Sequence, residues 1–184
     1  MGTEFETQIL EINAKEIAEK LRKLGAKEEK EILQKRWVYD IKCLSATESS
    51  KGEWIRLRQA GEKCAITYKN KAGSGMSETE EIEVNVSDFD KMAKIFSKMK
   101  GFEGQYYQEN KRHKFVLNKT EYTLDTWPKI PTFLEIEGES EEKVHEGLKL
   151  LGLEDKVHAH YGLLTIYKKY GIDLHAYKEL KFEE

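Results

Sequence analysis

The sequence has 184 residues, of which 31 are basic and 34 are acidic, and its formal net charge at pH 7 is −3. This near balance provides no overall field that attracts nucleic acid or an anionic membrane, so we expect neither as a partner. With no apolar run of about 18 residues, no leader and only two cysteines, a single cytoplasmic domain over residues 1–184 is expected.

Three segments carry the pattern of an amphipathic helix that begins at a capping residue and ends at a glycine. Their predicted caps and ends are Asn13 and Gly25, Ser87 and Gly101, and Ser140 and Gly152. A C-terminal run at 161–172 is also helix-like, and we expect residues 177–184 to fray.

Alternating polar and apolar residues predict the strands. A Glu-x-Glu strand precedes each of the three helices, and further alternating runs lie between them. These further runs are 28–41, 54–59, 64–70, 111–118 and 122–127. The order predicts an antiparallel sheet with helices, and an exposed edge or helix face could support a homodimer.

The alternation assigns each side chain to a face, because successive side chains of a strand point to opposite sides. In the first strand Glu4, Glu6 and Gln8 share one face, and the residues between them are expected to face the helices. Likewise, Ile82 and Val84 are expected to pack under helices, opposite the acidic residues of their strand. Later strands repeat this division, with polar residues at Arg56, Arg58, Lys69, Glu81, Glu83, Arg112, Asp125, Glu135 and Glu137.

Two architectures fit this pattern. One is an open antiparallel sheet with a solvated face, which alternates in the same way without any functional reason. The other is a closed barrel whose charged faces line the lumen. The pairing of acids as Glu-x-Glu and of bases as Arg-x-Arg favours the second. The predicted fold class is therefore α+β, an antiparallel closed β-barrel with helices packed on the outside.

A charged lumen has a chemical consequence. Like charges in one cavity repel unless a ligand partners both signs. A polyphosphate with a divalent metal does so, because arginine binds phosphate oxygens bidentately and carboxylates bind Mg²⁺ or Mn²⁺. The pattern thus indicates metal-assisted chemistry on a triphosphate. The lumenal acids would be Glu4, Glu6, Glu81, Glu83, Asp125, Glu135 and Glu137, and the cations Arg56, Arg58, Lys69 and Arg112.

The ordered motifs resemble the CYTH family of triphosphate-tunnel metalloenzymes, named for class IV adenylate cyclase and thiamine triphosphatase. After Glu4-x-Glu6 the chain carries, in order, WIRLRQ, ITYK, EEIEV, KRHKF, LDTWP and FLEIEG. The resemblance runs from Glu4 to about Tyr167.

The resemblance implies an eight-stranded tunnel and a set of residue roles. The triphosphate ligands would be Arg56, Arg58, Lys69, Arg112 and Gln8. The metal would be held by Glu4, Glu6, Glu135 and Glu137, with Glu81, Glu83 and Asp125 as further candidates. Lys69, Glu6 and Glu137 would be catalytic, and Tyr39 could assist Lys69 in activating water.

The implied function is divalent-metal-dependent hydrolysis of a small-molecule triphosphate: inorganic triphosphate, thiamine triphosphate or a nucleoside triphosphate. Cyclisation of ATP by a class IV type adenylate cyclase is the first alternative. A weakly active module that binds polyphosphate or nucleotide is the second.

Gln8 motivates the second alternative, because the family motif predicts lysine at this position. Glutamine keeps hydrogen-bond donors but lacks the positive charge that would act on the phosphates. Lys111, Lys114 or a lysine of a helix could compensate for this loss.

Overall fold

A computed structural model describes residues 5–42, 52–71, 79–159 and 161–183. Glu4, a predicted metal ligand, lies outside the described residues. The strands are β1 (Phe5–Ile9), β2 (Lys27–Glu28), β3 (Ile32–Lys42), β4 (Gly52–Ala60), β5 (Lys63–Lys71), β6 (Thr79–Asn85), β7 (Gly104–Leu117), β8 (Thr120–Thr126), β9 (Phe133–Gly138), β10 (His158–Ala159) and β11 (Glu179–Leu180). The helices are α1 (Ala14–Lys23), α2 (Phe89–Phe96), α3 (Glu141–Leu151) and α4 (Leu163–Lys169).

Two of the three predicted helix caps are confirmed. The Asn13 side chain accepts a hydrogen bond from the Glu16 backbone N–H at the start of α1. The Ser140 side chain does the same for the Lys143 backbone N–H at the start of α3. That helix ends at Gly152, whose φ of +61° is a left-handed conformation that glycine adopts without strain.

The predicted bounds of α2 are wrong at both ends. The N-cap is Asp88 and not Ser87, because the Asp88 carboxylate accepts from the Lys91 backbone N–H at 2.9 Å. The helix ends at Phe96, with Ser97 as its C-cap, and Gly101 follows only after a further turn.

The strands form one sheet in the order β10-β1-β9-β8-β7-β3-β4-β5-β6, with β2 and β11 each paired to β7. Over the described ranges the sheet is open, with β10 and β6 at the two ends of this order. The predicted eight-stranded closed barrel is therefore not confirmed. Alternation within a strand defines its two faces but not its hydrogen-bonded neighbours, which is why closure could not be read from it. The predicted strand at 28–41 is divided, since β2 and β3 are separated by residues 29–31.

One compact unit comprises Met1–Ile32 and Lys111–Leu163. Its core lies between α1, α3 and one face of β1, β8 and β9, as the alternation predicts. Helix α3 approaches the sheet closely at Gly147, where a Cβ would lie 2.9 Å from the Tyr122 hydroxyl oxygen. The buried core residues include Ile9, Ile17, Leu21, Phe115, Leu134, Ile136 and Leu148.

The second compact unit comprises Leu33–Asn110 and Leu164–Glu184. Its buried core residues are Tyr39, Leu57, Cys64, Phe89 and Phe96. The strands β3 and β7 each contribute residues to both units, and the single domain over 1–184 stays a prediction.

Two expectations for the second unit are wrong. Ile82 and Val84 are 54% and 61% exposed, because α2 packs over β4 and leaves this face of β6 uncovered. Residues 177–184 do not fray throughout, since Leu180 is buried and pairs in register with Gln108.

None of the helices in the described part of the chain is both long and apolar enough to cross a membrane.

Candidate functional site

The first unit has a polar face opposite its helices. Across β1, β9, β8 and β7, Gln8 pairs with Glu135, Glu135 with Thr123, and Thr123 with Lys114. These four side chains therefore lie in one row on the same face of the sheet. The alternation correctly predicts that Gln8 and Glu135 share this face.

Three carboxylates meet on this face. Glu6 lies directly opposite Glu137 in the antiparallel pair of β1 and β9, and Glu135 is two residues from Glu137. One carboxylate oxygen of each of the three lies within 4.8 Å of the others, and all three residues are half-buried. Like charges directly opposite each other destabilise a sheet. An all-oxygen set of this charge fits a hard divalent cation such as Mg²⁺ or Mn²⁺.

The Glu135 carboxylate is held by two neighbours. Its Oε2 accepts a hydrogen bond from Gln8 Nε2 at 2.9 Å, and its Oε1 accepts from Arg112 Nη2 at 3.0 Å. Hydrogen bonds to a metal-binding carboxylate orient it and tune its affinity. Gln8 and Arg112 are therefore placed to position this member of the cluster.

Arg112 also forms a bidentate ion pair on the polar face. Its Nε and Nη2 donate to the two oxygens of Asp125 at 2.8 and 2.5 Å, a bidentate arrangement. Burial by itself would lower the pKa of Arg112, but Asp125 and Glu135 outweigh it and the pKa is raised. Asp125, predicted as a further metal candidate, is buried in this pair and does not join the cluster of three.

Lys114 and Glu121 are two polar-face residues outside the predicted set of ligands, although the sequence offers Lys114 as a substitute for the charge missing at Gln8. Lys114 Nζ lies 2.6 Å from Glu121 Oε1, and Glu121 pairs with Glu137 across β8 and β9. The signal was present in the sequence, because Lys114 follows Arg112 by two residues and therefore shares its face. Of Lys111 and Lys114, both proposed as substitutes for the charge missing at Gln8, Lys114 lies on this face, whereas Lys111 is exposed on the other.

The contacts of Gln8 explain why glutamine suits this position. The side chain is 2% exposed, and both ends of its amide are used. Its Nε2 donates to Glu135, and its Oε1 accepts from the Tyr161 backbone N–H at 2.6 Å. A lysine could replace the first contact but has no acceptor for the second.

We therefore expect Gln8→Lys to be destabilising. The Tyr161 N–H would keep the Ala159 carbonyl oxygen at 3.0 Å but would lose the Gln8 oxygen, and a hydrogen bond contributes about 0.5–1.5 kcal/mol to the free energy of unfolding. Urea unfolding followed by circular dichroism measures this. Gln105→Lys, at a half-buried position of β7, is the control and should change the free energy by less. Equal stability of the Gln8→Lys variant and the wild type would show that the Tyr161 contact contributes nothing.

The second unit has its own polar face, which carries the other predicted cations. Lys69 Nζ lies 2.7 Å from Glu81 Oε2, and Arg56 Nη2 lies 3.7 Å from Glu81 Oε1. Arg58 Nη2 lies 3.9 Å from Glu83 Oε2. The two arginine distances exceed hydrogen-bond length, so these guanidinium groups are loosely paired with the two acids. Glu81 and Glu83, predicted as metal candidates, here contact cations.

Two further residues of this face were missed. Thr67 is fully buried, and its hydroxyl donates to Glu83 Oε2 at 2.7 Å while accepting from Arg56 Nη2 at 3.5 Å. Arg36 of β3 lies directly opposite Arg58 of β4. Pairing register, which a single sequence does not display, brings Arg36 and Arg58 together.

The proposed partnership of Lys69 with Tyr39 is wrong. Tyr39 pairs with Ile55, and Ile55 with Tyr68, so Tyr39 lies on the face opposite to Lys69. It is 1% exposed and stacks on Phe96 in the apolar core. Burial raises the pKa of Tyr39 to about 12. It is a packing residue of the second unit.

The fold and the ordered acidic and basic strands agree with a sequence comparison. The CYTH domain matches residues 3–160. The chain therefore belongs to the CYTH family, and the resemblance predicted from the sequence is confirmed.

Solved structures of similar fold come from archaea, bacteria and plants. The PH1012 protein of Pyrococcus horikoshii is 24% identical, with a TM-score of 0.65, over 83% of this chain and 92% of that one. A candidate adenylate cyclase of Vibrio parahaemolyticus is 15% identical, with a TM-score of 0.69, over 91% and 98%. HpAC1 of Hippeastrum, a candidate adenylyl cyclase with a dominant triphosphatase activity, is 16% identical, with a TM-score of 0.54, over 91% and 95%.

At these identities the structures establish the fold alone. No curated protein matches this chain.

Proposed function

We propose that this protein is a divalent-metal-dependent phosphohydrolase that acts on a small-molecule triphosphate. The observation that carries the proposal is the cluster of Glu6, Glu135 and Glu137, with carboxylate oxygens within 4.8 Å of one another, in a chain of the CYTH family. Such a cluster on a polar face is the donor set that Mg²⁺ or Mn²⁺ requires.

The polar face of the first unit supports metal binding. In the first unit, Glu6, Glu135 and Glu137 would hold the metal, and Gln8 and Arg112 would orient Glu135. When bound, a divalent ion neutralises charge on phosphate oxygens.

In the second unit, Arg56, Arg58 and Lys69 are the phosphate-binding groups. Each of them contacts Glu81 or Glu83, and the arginine contacts with these acids, at 3.7 and 3.9 Å, are weak enough for phosphate oxygens to replace them. Lys69, at 2.7 Å from Glu81, would exchange a carboxylate for a phosphate oxygen and stabilise the charge that develops there.

Both reactions need a group that takes the proton of the attacking oxygen, from water in hydrolysis and from the ribose 3′-hydroxyl in cyclisation. Hydrolysis is favoured because it needs no group that positions a ribose, and every group described above would bind phosphate or metal. The triphosphatase activity of HpAC1, itself a candidate adenylyl cyclase of this fold, is consistent with hydrolysis. Adenylate cyclase activity remains the alternative, since the Vibrio relative is also a candidate cyclase.

One assay separates the three functions. The protein is incubated with tripolyphosphate, thiamine triphosphate or ATP, with Mg²⁺, Mn²⁺ or a chelator, and orthophosphate, pyrophosphate and cyclic AMP are measured. Metal-dependent release of orthophosphate is expected. Cyclic AMP with pyrophosphate from ATP would instead establish a cyclase. Binding of tripolyphosphate without any product would indicate the weakly active module, and Gln8→Lys would then be tested for rescue of turnover.

A further inference from the structure

The second unit exposes large apolar side chains on the side of its sheet that α2 covers only in part. Ile82 and Val84 of β6 are 54% and 61% exposed, and Ile95 of α2 is 55% exposed. Met99 follows Ile95 by four residues, in turns that continue the helix, and is 50% exposed. A single exposed apolar residue is ordinary, whereas a contiguous group marks an interaction surface.

The packing of α2 brings these residues together. Phe89 and Phe96 are buried beneath the helix, and Ala93 and Ser97 on one flank line a cavity with aromatic residues of β3. With 3.6 residues per turn, Ile95 lies on the other flank. This flank faces β5 and β6, because α2 packs over β4 and the strands follow the order β3-β4-β5-β6. The apolar patch between α2 and β6 therefore consists of Ile82, Val84, Ile95 and Met99.

The apolar patch is bordered by charges of both signs. On the side of α2, the segment 91–100 carries four exposed lysines and no acidic residue. On β6, Glu80 is exposed and shares the face of Ile82, because the two are separated by one residue. Glu53 and Glu80 both act on Tyr68, which pairs with Ile82: burial raises the pKa of Tyr68, and the two carboxylates raise it further. The patch therefore has a basic border on the helix and an acidic border on the strand.

We propose that the apolar patch is the centre of a symmetric interface with a second copy of this chain. A two-fold axis through the patch sets the apolar residues of the two copies against each other, and it sets the helix of each copy against the partner's edge strand. The lysines of one copy then face carboxylates of the other, whereas a border of one sign would repel its own copy. The position of the patch agrees with this, because β6 ends the order of strands over the described ranges and proteins protect or pair such apolar edges.

The test is sedimentation equilibrium of the full chain over about a hundred-fold range of concentration. The mass of the wild type is expected to rise from one chain towards two. Ile82→Thr should raise the Kd of the dimer about 10-fold or more, because a symmetric dimer loses the buried side chain twice. Threonine is favourable in strands, so the variant should keep the fold, which circular dichroism checks. Val84→Thr serves the same comparison if Ile82→Thr does not fold.

Glu80→Lys tests the charge pattern around the patch. It should also raise the Kd, because it sets a lysine against the lysines of the partner, and its effect should shrink at high salt. Two controls make the same chemical changes elsewhere. Val157→Thr alters a residue that is 80% exposed in the first unit, and Glu62→Lys alters the exposed turn between β4 and β5. Both controls should dimerise like the wild type.

Three results would overturn the inference. A wild type that stays monomeric over the whole range would leave the patch to a partner of other chemistry. An unchanged Kd in the folded threonine variant would place the dimer interface elsewhere, and an unchanged Kd in Glu80→Lys would refute the two-fold arrangement of charges. None of these measurements uses a triphosphate, so they are independent of the proposed function.

Discussion

Replacing Glu137 with glutamine is expected to reduce metal-dependent phosphate release by about 100-fold or more, since losing even an indirect partner of a metal ligand costs about 10- to 100-fold. The substitution preserves size and shape and removes one carboxylate of the cluster formed with Glu6 and Glu135. The charge that attracts the cation would fall by one unit. Steady-state rates over a range of Mn²⁺ or Mg²⁺ concentrations measure both the rate and the apparent metal affinity.

A stability measurement distinguishes loss of metal binding from damage to the fold. Glu137 lies opposite Glu6, so its neutralisation relieves a repulsion between like charges. The metal-free Glu137→Gln variant should therefore be at least as stable as the metal-free wild type. The increase in Tm that Mn²⁺ confers on the wild type should be smaller in the variant, because a ligand stabilises only the state that binds it.

Glu139→Gln is the control for this experiment. Glu139 lies two residues further along the chain and is exposed. Its substitution should change neither the rate nor the response to metal. An unchanged rate and an unchanged metal response in Glu137→Gln would refute the assignment of this cluster as the metal site.

The second large effect is expected at Arg112. Arg112→Met leaves the buried carboxylate of Asp125 without its bidentate partner and removes a donor from Glu135. Breaking a buried ion pair by removing one partner costs about 3–5 kcal/mol of the free energy of unfolding. The contact of Asp125 with the Thr123 hydroxyl, at 3.3 Å, is long and does not replace the lost charge. Urea unfolding would measure the loss.

A double variant tests whether the uncompensated charge is the cause. Arg112→Met combined with Asp125→Asn removes both charges, and the stability should recover by more than half, because a neutral pair has no buried charge to solvate. Lys111→Met, at an exposed position on the opposite face of β7, is the control and should have little effect. A loss below about 1 kcal/mol in Arg112→Met would show that this ion pair stabilises the fold no more than an exposed ion pair does.

Much of the candidate site was predictable because side chains alternate along a strand. The sequence alone places Glu6 with Gln8, Arg56 with Arg58, and Glu135 with Glu137 on shared faces. The same rule places Lys114, which the sequence offers only as a substitute for the missing lysine, on the face of Arg112. It failed for Ile82 and Val84, because an apolar face is buried only where a helix reaches it, and α2 covers β4.

The alternation of side chains does not predict which residues of different strands contact each other. Asp125 and Glu135 are both acidic residues on polar faces, yet Asp125 forms a buried ion pair with Arg112 and Glu135 joins the carboxylate cluster. From the sequence, Gln8 is interpreted as a position where the family motif predicts lysine. In the structure its amide is a linker between Glu135 and the Tyr161 backbone, which the charge of a lysine could not provide.

The sequence by itself determined most of the strands, their polar faces and the family to which the chain belongs, because these depend on local alternation and on the order of motifs. Only the tertiary structure decided that the described sheet is open, that Glu6 faces Glu137 and that Arg36 faces Arg58. Those facts depend on strand order and register, which are set by hydrogen bonds between segments far apart in the chain.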